Sequence, residues 1–473
     1  EWVQIGWDDA FALWAKVIRE ADPAQVGTIG GGRFTNEEAY LAQYVFRKAG
    51  VRNIDWRVGR QIQASPGRNG GKLDDLANVD AIFIVGESPV ERAPIMDLRI
   101  RRAARLGRAK LVRIGSFERP YPDAIPFVDV ATVADAVRQA PGAKRVAVVW
   151  DGVDSAQVKE LLGALPPSAT VLAYISGEQG NARGAEAMGM HPALGPGYAQ
   201  TEAGLDTTAM LEAARDGKMR VLSILGANPV LNYYDGAMAA EALEQTPFVV
   251  VSDLFMTETA QKATLLLPAK GAFEKDGTTT NLAGDVLPLN AAVDLATPGH
   301  PLTDLEMLVG LAQELGIALP TAEELDETVI GHLASAAENF TLGDPMFGAT
   351  HSIAAQPGDG ARVIFETRIF AGGGTVAHDD AIEALRPLPQ VAMSPAHASR
   401  TGVTMGDYVD LQTSDRNCTM HDVLVEVRQN VPDDAVVLID GLPDDMSNCF
   451  APGTRVTVVN VRKQTAQLVG APA

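Results

Sequence analysis

Hydrophobic positions near the start of the chain recur with a helical period. Phe11, Trp14, Val17 and Ile18 share one face, Asp8 or Asp9 can cap the segment, and Pro23 follows its stop. A second helix is predicted from Thr35-Asn36-Glu37-Glu38, where Thr35 and Glu38 have capping-box spacing. Tyr40, Leu41, Tyr44 and Val45 form its apolar stripe, and Gly50 suits its C-terminal end. From Ala81 the period changes. Ala81–Val85 is a continuous apolar run ending at Gly86, as in a strand buried on both faces. A helical stretch from Pro94 to Leu106 stops at Gly107, and Lys110–Ile114 is the next strand, ending at Gly115. The unit recurs. Val146–Trp150 and Thr170–Ile175 are strands flanking a helix from Asp154 to Leu165. Val221–Leu225 ends at Gly226, Phe248–Ser252 at Asp253, and Thr264–Leu267 at Pro268. Strands alternating with helices predict α/β architecture with doubly wound parallel sheets.

The helical period disappears from about Ala361. Val409-Asp410-Leu411, Val423–Val427, Val436–Ile439 and Val456–Val459 are short β-branched runs punctuated by Pro432, Gly441, Pro443 and Gly453. They predict a separate β-barrel domain. The Gly-, Ala- and Pro-rich stretch from Leu342 to Gly374 reads as a loop or linker.

Composition narrows the function. The chain has 473 residues, 39 basic and 60 acidic side chains and a net charge of −21. Its 46% hydrophobic content excludes a disordered chain, and two cysteines exclude a disulfide scaffold. The acidic excess argues against nucleic acid as a partner, and no apolar run is long enough to span a membrane. The first residue is Glu1 and no signal segment precedes Trp2, so the sequence reads as a fragment lacking its N-terminal part.

Familiar chemical motifs are missing. There is no GxxxxGK[ST] loop, no GxGxxG after a strand, no HExxH, no CxxC and no G-x-S-x-G elbow. Cys418 and Cys449 read as ordinary buried thiols. The seven histidines, His191, His300, His332, His351, His378, His397 and His421, read as surface or loop residues. Neither a metal site nor an iron–sulfur cluster can be built from two cysteines alone.

Three polar segments stand out. Gly180-Asn181-Ala182-Arg183-Gly184, with Met188-Gly189 and Pro196-Gly197, is a glycine-rich loop after a strand. Gly226-Ala227-Asn228-Pro229 follows another. Thr257-Glu258-Thr259-Ala260 and Phe273-Glu274-Lys275-Asp276-Gly277-Thr278, with Asn281, cluster around the Leu265 strand. Such loops can present backbone N–H groups to an anion, or they are turns with structural glycines and caps.

In order along nearly the whole chain, these segments resemble the molybdopterin oxidoreductase superfamily. Gly6-Trp7-Asp8-Asp9-Ala10-Phe11 is similar to its first helix start. Thr35-Asn36-Glu37-Glu38, Arg47 and Arg52-Asn53-Ile54-Asp55 resemble its Thr-Asn-Glu helix and following Asn-x-Asp turn. Ile84-Val85-Gly86-Glu87-Ser88-Pro89 and Gly226-Ala227-Asn228-Pro229 resemble its two Gly-x-Asn-Pro strand ends. Asp253, Glu258-Thr259-Ala260, Leu266-Leu267-Pro268, Glu274-Lys275, Gly277-Thr278 and Asn281 follow its long central signature. Ser394-Pro395, Gly402 and Gly406-Asp407-Tyr408-Val409 resemble its C-terminal dinucleotide-binding barrel.

The resemblance implies two Rossmann-like domains, one inserted in the other, and a β-barrel. Residues 1–56 and 218–340 would form the first domain, 57–217 the inserted one, 341–385 a linker and 386–473 the barrel, beginning near Arg386. The match is most like the C-terminal part of the large iron–sulfur subunit of NADH:quinone oxidoreductase, respiratory complex I, which carries the framework without molybdenum. Residues 56–79 hold no Cys or His where the active enzymes place a metal ligand; Ser65, Asp74 and Asp75 are present. Gly115-Ser116-Phe117 replaces an Asp-Pro-Arg, and Gly284-Asp285 puts an acid where a diphosphate would want a base.

The expectation is therefore a scaffold with no catalytic residue and no metal ligand. Gly86, Gly115, Asn181, Gly184, Gly226, Asn228, Glu258, Thr259, Lys275, Gly277 and Asn281 would line a vestigial cleft. Iron–sulfur clusters would sit in the missing N-terminal part. The partners would be other hydrophilic-arm subunits, and the location the inner face of a bacterial plasma membrane, held there through the complex. One alternative is a formate-dehydrogenase-type enzyme binding bis-molybdopterin guanine dinucleotide with molybdenum or tungsten. Another is a non-enzymatic module that binds a nucleotide or small anion in the old crevice.

Overall fold

The computed structural model describes residues 2–58, 71–86, 88–90, 93–115, 125–151, 155–176, 179–295, 299–339, 359–366, 368–371, 378–413, 418–442, 446–450 and 454–463. Ser65, Glu87, Ser116, Phe117, Asp154, His351, Pro443, Gly453 and most of the expected linker lie outside them. The chain divides into two compact units, residues 1–229 with 238–352 and residues 230–237 with 353–473.

The first unit opens with α1 (Trp7–Glu20), which buries Phe11, Trp14 and Ile18. Its N-cap is Gly6 rather than Asp8 or Asp9. Both aspartates lie inside the first turn, where their charge favours the positive helix end. Strand β1 (Val26–Gly30) follows. Its Val-Gly-Thr-Ile-Gly sequence gives no apolar-run signal, and it was not expected. In α2 (Asn36–Lys48) the capping box forms: Glu38 N donates to Thr35 Oγ1 at 3.1 Å and Thr35 N to Glu38 Oε2 at 2.8 Å. β2 (Asn53–Asp55) is only three residues long.

Next come β3 (Ala81–Val85), α3 (Pro94–Arg105), β4 (Lys110–Ile114), β5 (Val128–Val130), β6 (Arg145–Trp150) and β7 (Thr170–Ile175). After them run β8 (Val221–Leu225), β9 (Phe248–Asp253) and β10 (Leu265–Pro268), then a hairpin of β11 (Gly277–Thr280) and β12 (Val286–Leu289).

Two parallel sheets result, in the orders β10-β9-β8-β1-β2 and β5-β4-β3-β6-β7. The second is inserted in sequence between β2 and β8 of the first. Alternation explains why β3 reads as wholly apolar. Ile82 and Ile84 pack with Met96 and Ile100 on one face, whereas Phe83 and Val85 pack with Val158 and Leu161 on the other.

The second unit is a closed barrel in the order β13-β17-β14-β16-β15-β18. Its strands are β13 (Ala361–Glu366), β14 (Gln390–Met393), β15 (Tyr408–Thr413), β16 (Thr419–Val427), β17 (Ala435–Ile439) and β18 (Arg455–Arg462). β13 lies inside the segment expected to be linker, so barrel structure starts before Arg386. Its alternation was hidden among glycine- and alanine-rich neighbours.

The thiol reading is also corrected. Cys418 and Cys449 are joined by a disulfide, with Cα atoms 6.2 Å apart. Their separation of 31 residues gave no hint that the barrel brings them together. His397 departs from the surface-or-loop reading, being buried on a helix. His191 lies in a loop but is fully buried, its Nδ1 accepting from Ala193 N at 3.0 Å and Leu194 N at 3.1 Å.

Candidate functional site

A doubly wound sheet opens its ligand crevice at the C-terminal strand ends, where the strand order reverses. In the host sheet that point lies between β1 and β8, and in the inserted sheet between β3 and β6. Among the described residues, a buried side chain stands close to each. After β1, Gly31 N donates to Leu225 O at 2.6 Å, and the fully buried Phe34 ring stands against Gly30 and Gly226. A Cβ on either glycine would come within 3.1 or 3.3 Å of that ring. Gly226, at φ +60°, needs its lack of a side chain to make the turn. After β3, a Cβ on Gly86 would overlap the buried Asp151 carboxylate that follows β6. The glycine turn after β1 is also engaged: Gly32 N donates to Gln179 Oε1, and Gln179 Nε2 donates to Val58 O at 2.9 Å.

Beside this point the buried Asn181 joins three elements. Its Nδ2 donates to Phe34 O at 2.7 Å and to Asn36 Oδ1 at 3.1 Å, while its Oδ1 accepts from Thr280 N at 2.6 Å. Gly184 leaves no room for a methyl group against the side-chain oxygens of Asn36 and Asn181. Gly277 begins β11 at φ +151°, where a Cβ would come within 2.7 Å of Glu37 Oε2. Glu37 accepts from Thr278 N at 2.8 Å. Asn281 turns the hairpin: its Oδ1 accepts from Asp285 N at 2.9 Å. Asp285 in turn bridges Lys72 at 3.1 Å, which holds its carboxyl below the usual range.

Two further clusters follow the host strands. Asn228 donates to Glu258 Oε2 at 2.7 Å and accepts from the Thr259 hydroxyl at 2.7 Å, tying the β8 turn to the β9 turn. Lys275, Glu38 and Asp304 form a buried triad. Lys275 Nζ lies 2.7 Å from Glu38 Oε2 and 3.8 Å from Asp304 Oδ2, and Ser252 Oγ donates to Asp304 Oδ1 at 2.7 Å. Burial pushes the Glu38 carboxyl up to about 6 against the pull of Lys275, and burial raises Asp304 as well. Burial alone would pull Lys275 down, yet the two carboxylates hold it above its ordinary value.

Of the eleven residues expected to line a cleft, ten take part in the turns and buried clusters just described. Gly115 stands apart, at φ +122° with open space where a side chain would go. Sequence reasoning missed Phe34, Asp151, Gln179 and the buried pair Asp55–Arg57. Arg57 meets Asp55 through Nε at 2.8 Å and Nη2 at 3.0 Å, and Asp55 Oδ2 accepts from Thr207 N at 2.8 Å. Burial would raise Asp55, but Arg57 holds it low. Among the described residues no three of His, Cys, Asp and Glu are grouped to hold a metal ion. A cavity of about 430 Å³ lined by Arg183, Tyr198, Thr280 and Leu333 among others includes neither Phe34 nor Asp151. No helix among the described residues is long and apolar enough to cross a membrane.

The sequence matches the molybdopterin oxidoreductase family over residues 1–138 and 155–314. It is 24% identical to the F420-dependent formate dehydrogenase 1 subunit alpha of Methanococcus maripaludis, over 70% of this chain and 63% of that protein. It is 26% identical to an NADH-quinone oxidoreductase subunit of Mycobacterium tuberculosis, over 88% of this chain and 57% of that protein. The chain therefore spans about three fifths of the length of these curated relatives. Among solved structures, acetylene hydratase from Pelobacter acetylenicus shares the fold at a TM-score of 0.59 and 14% identity, covering 96% of this chain and 85% of that one.

Proposed function

We propose that this chain, which belongs to the molybdopterin oxidoreductase family, is the scaffold portion of the iron–sulfur subunit of an NADH:quinone oxidoreductase. It would support electron transfer from NADH to quinone without binding molybdenum itself. One observation supports the reading: a buried side chain stands against the glycine turn at each switch point, Phe34 in the host sheet and Asp151 in the inserted one. A pterin dinucleotide needs open backbone donors and room for a diphosphate at such strand ends. Here the Gly32 N–H is taken by Gln179, the Gly31 N–H by Leu225 O, and a carboxylate stands where the inserted sheet would receive an anion. These engaged donors and this carboxylate support a scaffold without the group, and no chemical step is assigned through it.

In this reading the buried polar clusters are structural clips. They fix the crevice turns so that the outer surface can pack against a cluster-bearing domain and neighbouring subunits. The similarity to formate dehydrogenase alpha subunits supports a second reading, a molybdenum or tungsten enzyme of that type.

Metal and pterin analysis of the protein purified from its natural source, still assembled with its partners, separates the two. The scaffold reading expects migration with a multisubunit NADH-oxidising assembly and molybdenum and tungsten far below one atom per chain. One atom of either metal per chain, with releasable pterin, overturns it.

A further inference from the structure

The inserted lobe carries a basic face on an acidic protein. Against a net charge of −21, the stretch from Pro94 to Lys110 holds six cations and one carboxylate, Asp97. Helical geometry sorts its side chains. Met96, Ile100, Ala103 and Ala104 of α3 enter the core. Asp97 is buried and bridged by Arg101 at 2.6 Å, and Arg99 is bridged by Asp74 at 2.8 Å. The side chains of Arg102, Arg105 and Arg108 remain exposed, with no hydrogen bond or ion pair to any described residue. Between them stand three large apolar side chains in solvent: Ile95 at 59% exposure, Leu98 at 60% and Leu106 at 54%. Ala77, Arg99, Arg102, Ala103, Leu106 and Arg108 line a dent of about 90 Å³.

Like charges three residues apart on a helix repel, as Arg99, Arg102 and Arg105 do here. Attraction to the negative end of the helix explains cations in the last turn. It does not explain leucines and an isoleucine left in water among them. Exposed apolar residues interleaved with arginines that no described residue pairs suit a partner surface that supplies carboxylates.

We propose that this face of α3 docks an acidic protein segment. Its carboxylates pair with Arg102, Arg105 and Arg108, and one of its aliphatic side chains enters the dent. The size of the dent selects a side chain, since small-molecule sites run to roughly 300–1,000 Å³. The charge of the whole protein selects a segment over a lipid surface. An anionic bilayer is an extended plane and would bring much of a −21 molecule against like charge, whereas a segment touches only the basic patch. The proposal does not depend on whether the crevice binds pterin.

The test uses the full chain and a labelled helical peptide with glutamates and leucines on one face, read by fluorescence anisotropy. Binding is expected at low salt, lost at high salt, and absent for the same peptide with glutamine in place of glutamate. Arg102→Glu/Arg105→Glu should weaken it by about tenfold or more, with the melting temperature unchanged. Leu98→Ser, which leaves every charge in place, should also weaken it. Failure of the native chain to bind the acidic peptide, undiminished binding by the arginine variant, or indifference to salt would overturn the proposal. So would arginine-dependent binding to phosphatidylglycerol vesicles in preference to the peptide.

Discussion

Replacing Lys275 with methionine isolates the energetics of the buried triad. The side chain is close in length, so the substitution removes the ammonium and little volume. It leaves Glu38 and Asp304 buried together, with Ser252 as the remaining side-chain donor to Asp304. Removing one partner of a buried pair costs about 3–5 kcal/mol, because the other charge stays desolvated. Part of that loss can be escaped by binding a proton. In the native chain Glu38 is raised to about 6 from its ordinary 4.5, so its folded form holds the proton more tightly than its unfolded form. The stability this group contributes is complete below its unfolded value and is lost as pH rises through about 6, an effect of about 2 kcal/mol.

Without Lys275 both carboxyls rise further, and the penalty of K275M should be larger near pH 8 than near pH 5. Urea unfolding at the two pH values, followed by tryptophan fluorescence and circular dichroism, measures the difference. Glu38→Gln together with Lys275→Met should recover part of the loss, since glutamine can still accept from Thr35 N in the capping box. A K275M penalty below about 1 kcal/mol near pH 8, or one that does not change with pH, would refute the account.

Asn181→Ala should cost about 2–4 kcal/mol in thermal unfolding, because Phe34 O and Thr280 N lose a buried partner at once. Gly184→Ala sits in a helix, where propensity alone would favour alanine by about 1 kcal/mol. The expected sign is the opposite, a loss of about 1–3 kcal/mol, because the methyl group overlaps Asn36 and Asn181. Phe34→Ala should destabilise the host lobe by about 3–5 kcal/mol, measured as faster hydrogen exchange in β1 and β8. Cys418→Ser/Cys449→Ser opens a loop of 31 residues and should lower the barrel's unfolding free energy by about 3–4 kcal/mol. A dithiol reductant should reproduce that shift in the native chain and leave the double variant unchanged.

The sheets were legible where strands are buried on both faces and stop at glycine, as at Ala81–Val85 and Val221–Leu225. Val26–Gly30 was not, because two of its five residues are glycines chosen for close packing: a Cβ on Gly27 would crowd Met210 and Met219. The capping box at Thr35 was readable because both partners lie within four residues. The crevice was legible only as a set of turns. Asn181, Asn228 and Lys275 stood out as polar residues beside strands, yet their partners Phe34, Glu258 and Glu38 come from two turns and the start of α2, which sequence distance does not relate. Which turns meet at the switch points depends on strand order, which pairs β1 with β8 and β3 with β6. The Gly30-Gly31-Gly32 run carried a signal that could have been used: successive glycines mark a turn where backbone or side chains approach closely.

The pairing of β1 with β8 also sets a timetable for biosynthesis. The inserted lobe, β3 to β7, is complete in the nascent chain before β8 leaves the ribosome. At about 5–20 residues per second, β1 waits roughly 10–40 s for its central neighbour. During that interval its hydrogen-bonding edge, α1 and the apolar face of α2 have no finished sheet to cover them. The early N-terminal segment, rather than the inserted lobe, is where a chaperone would be needed during translation.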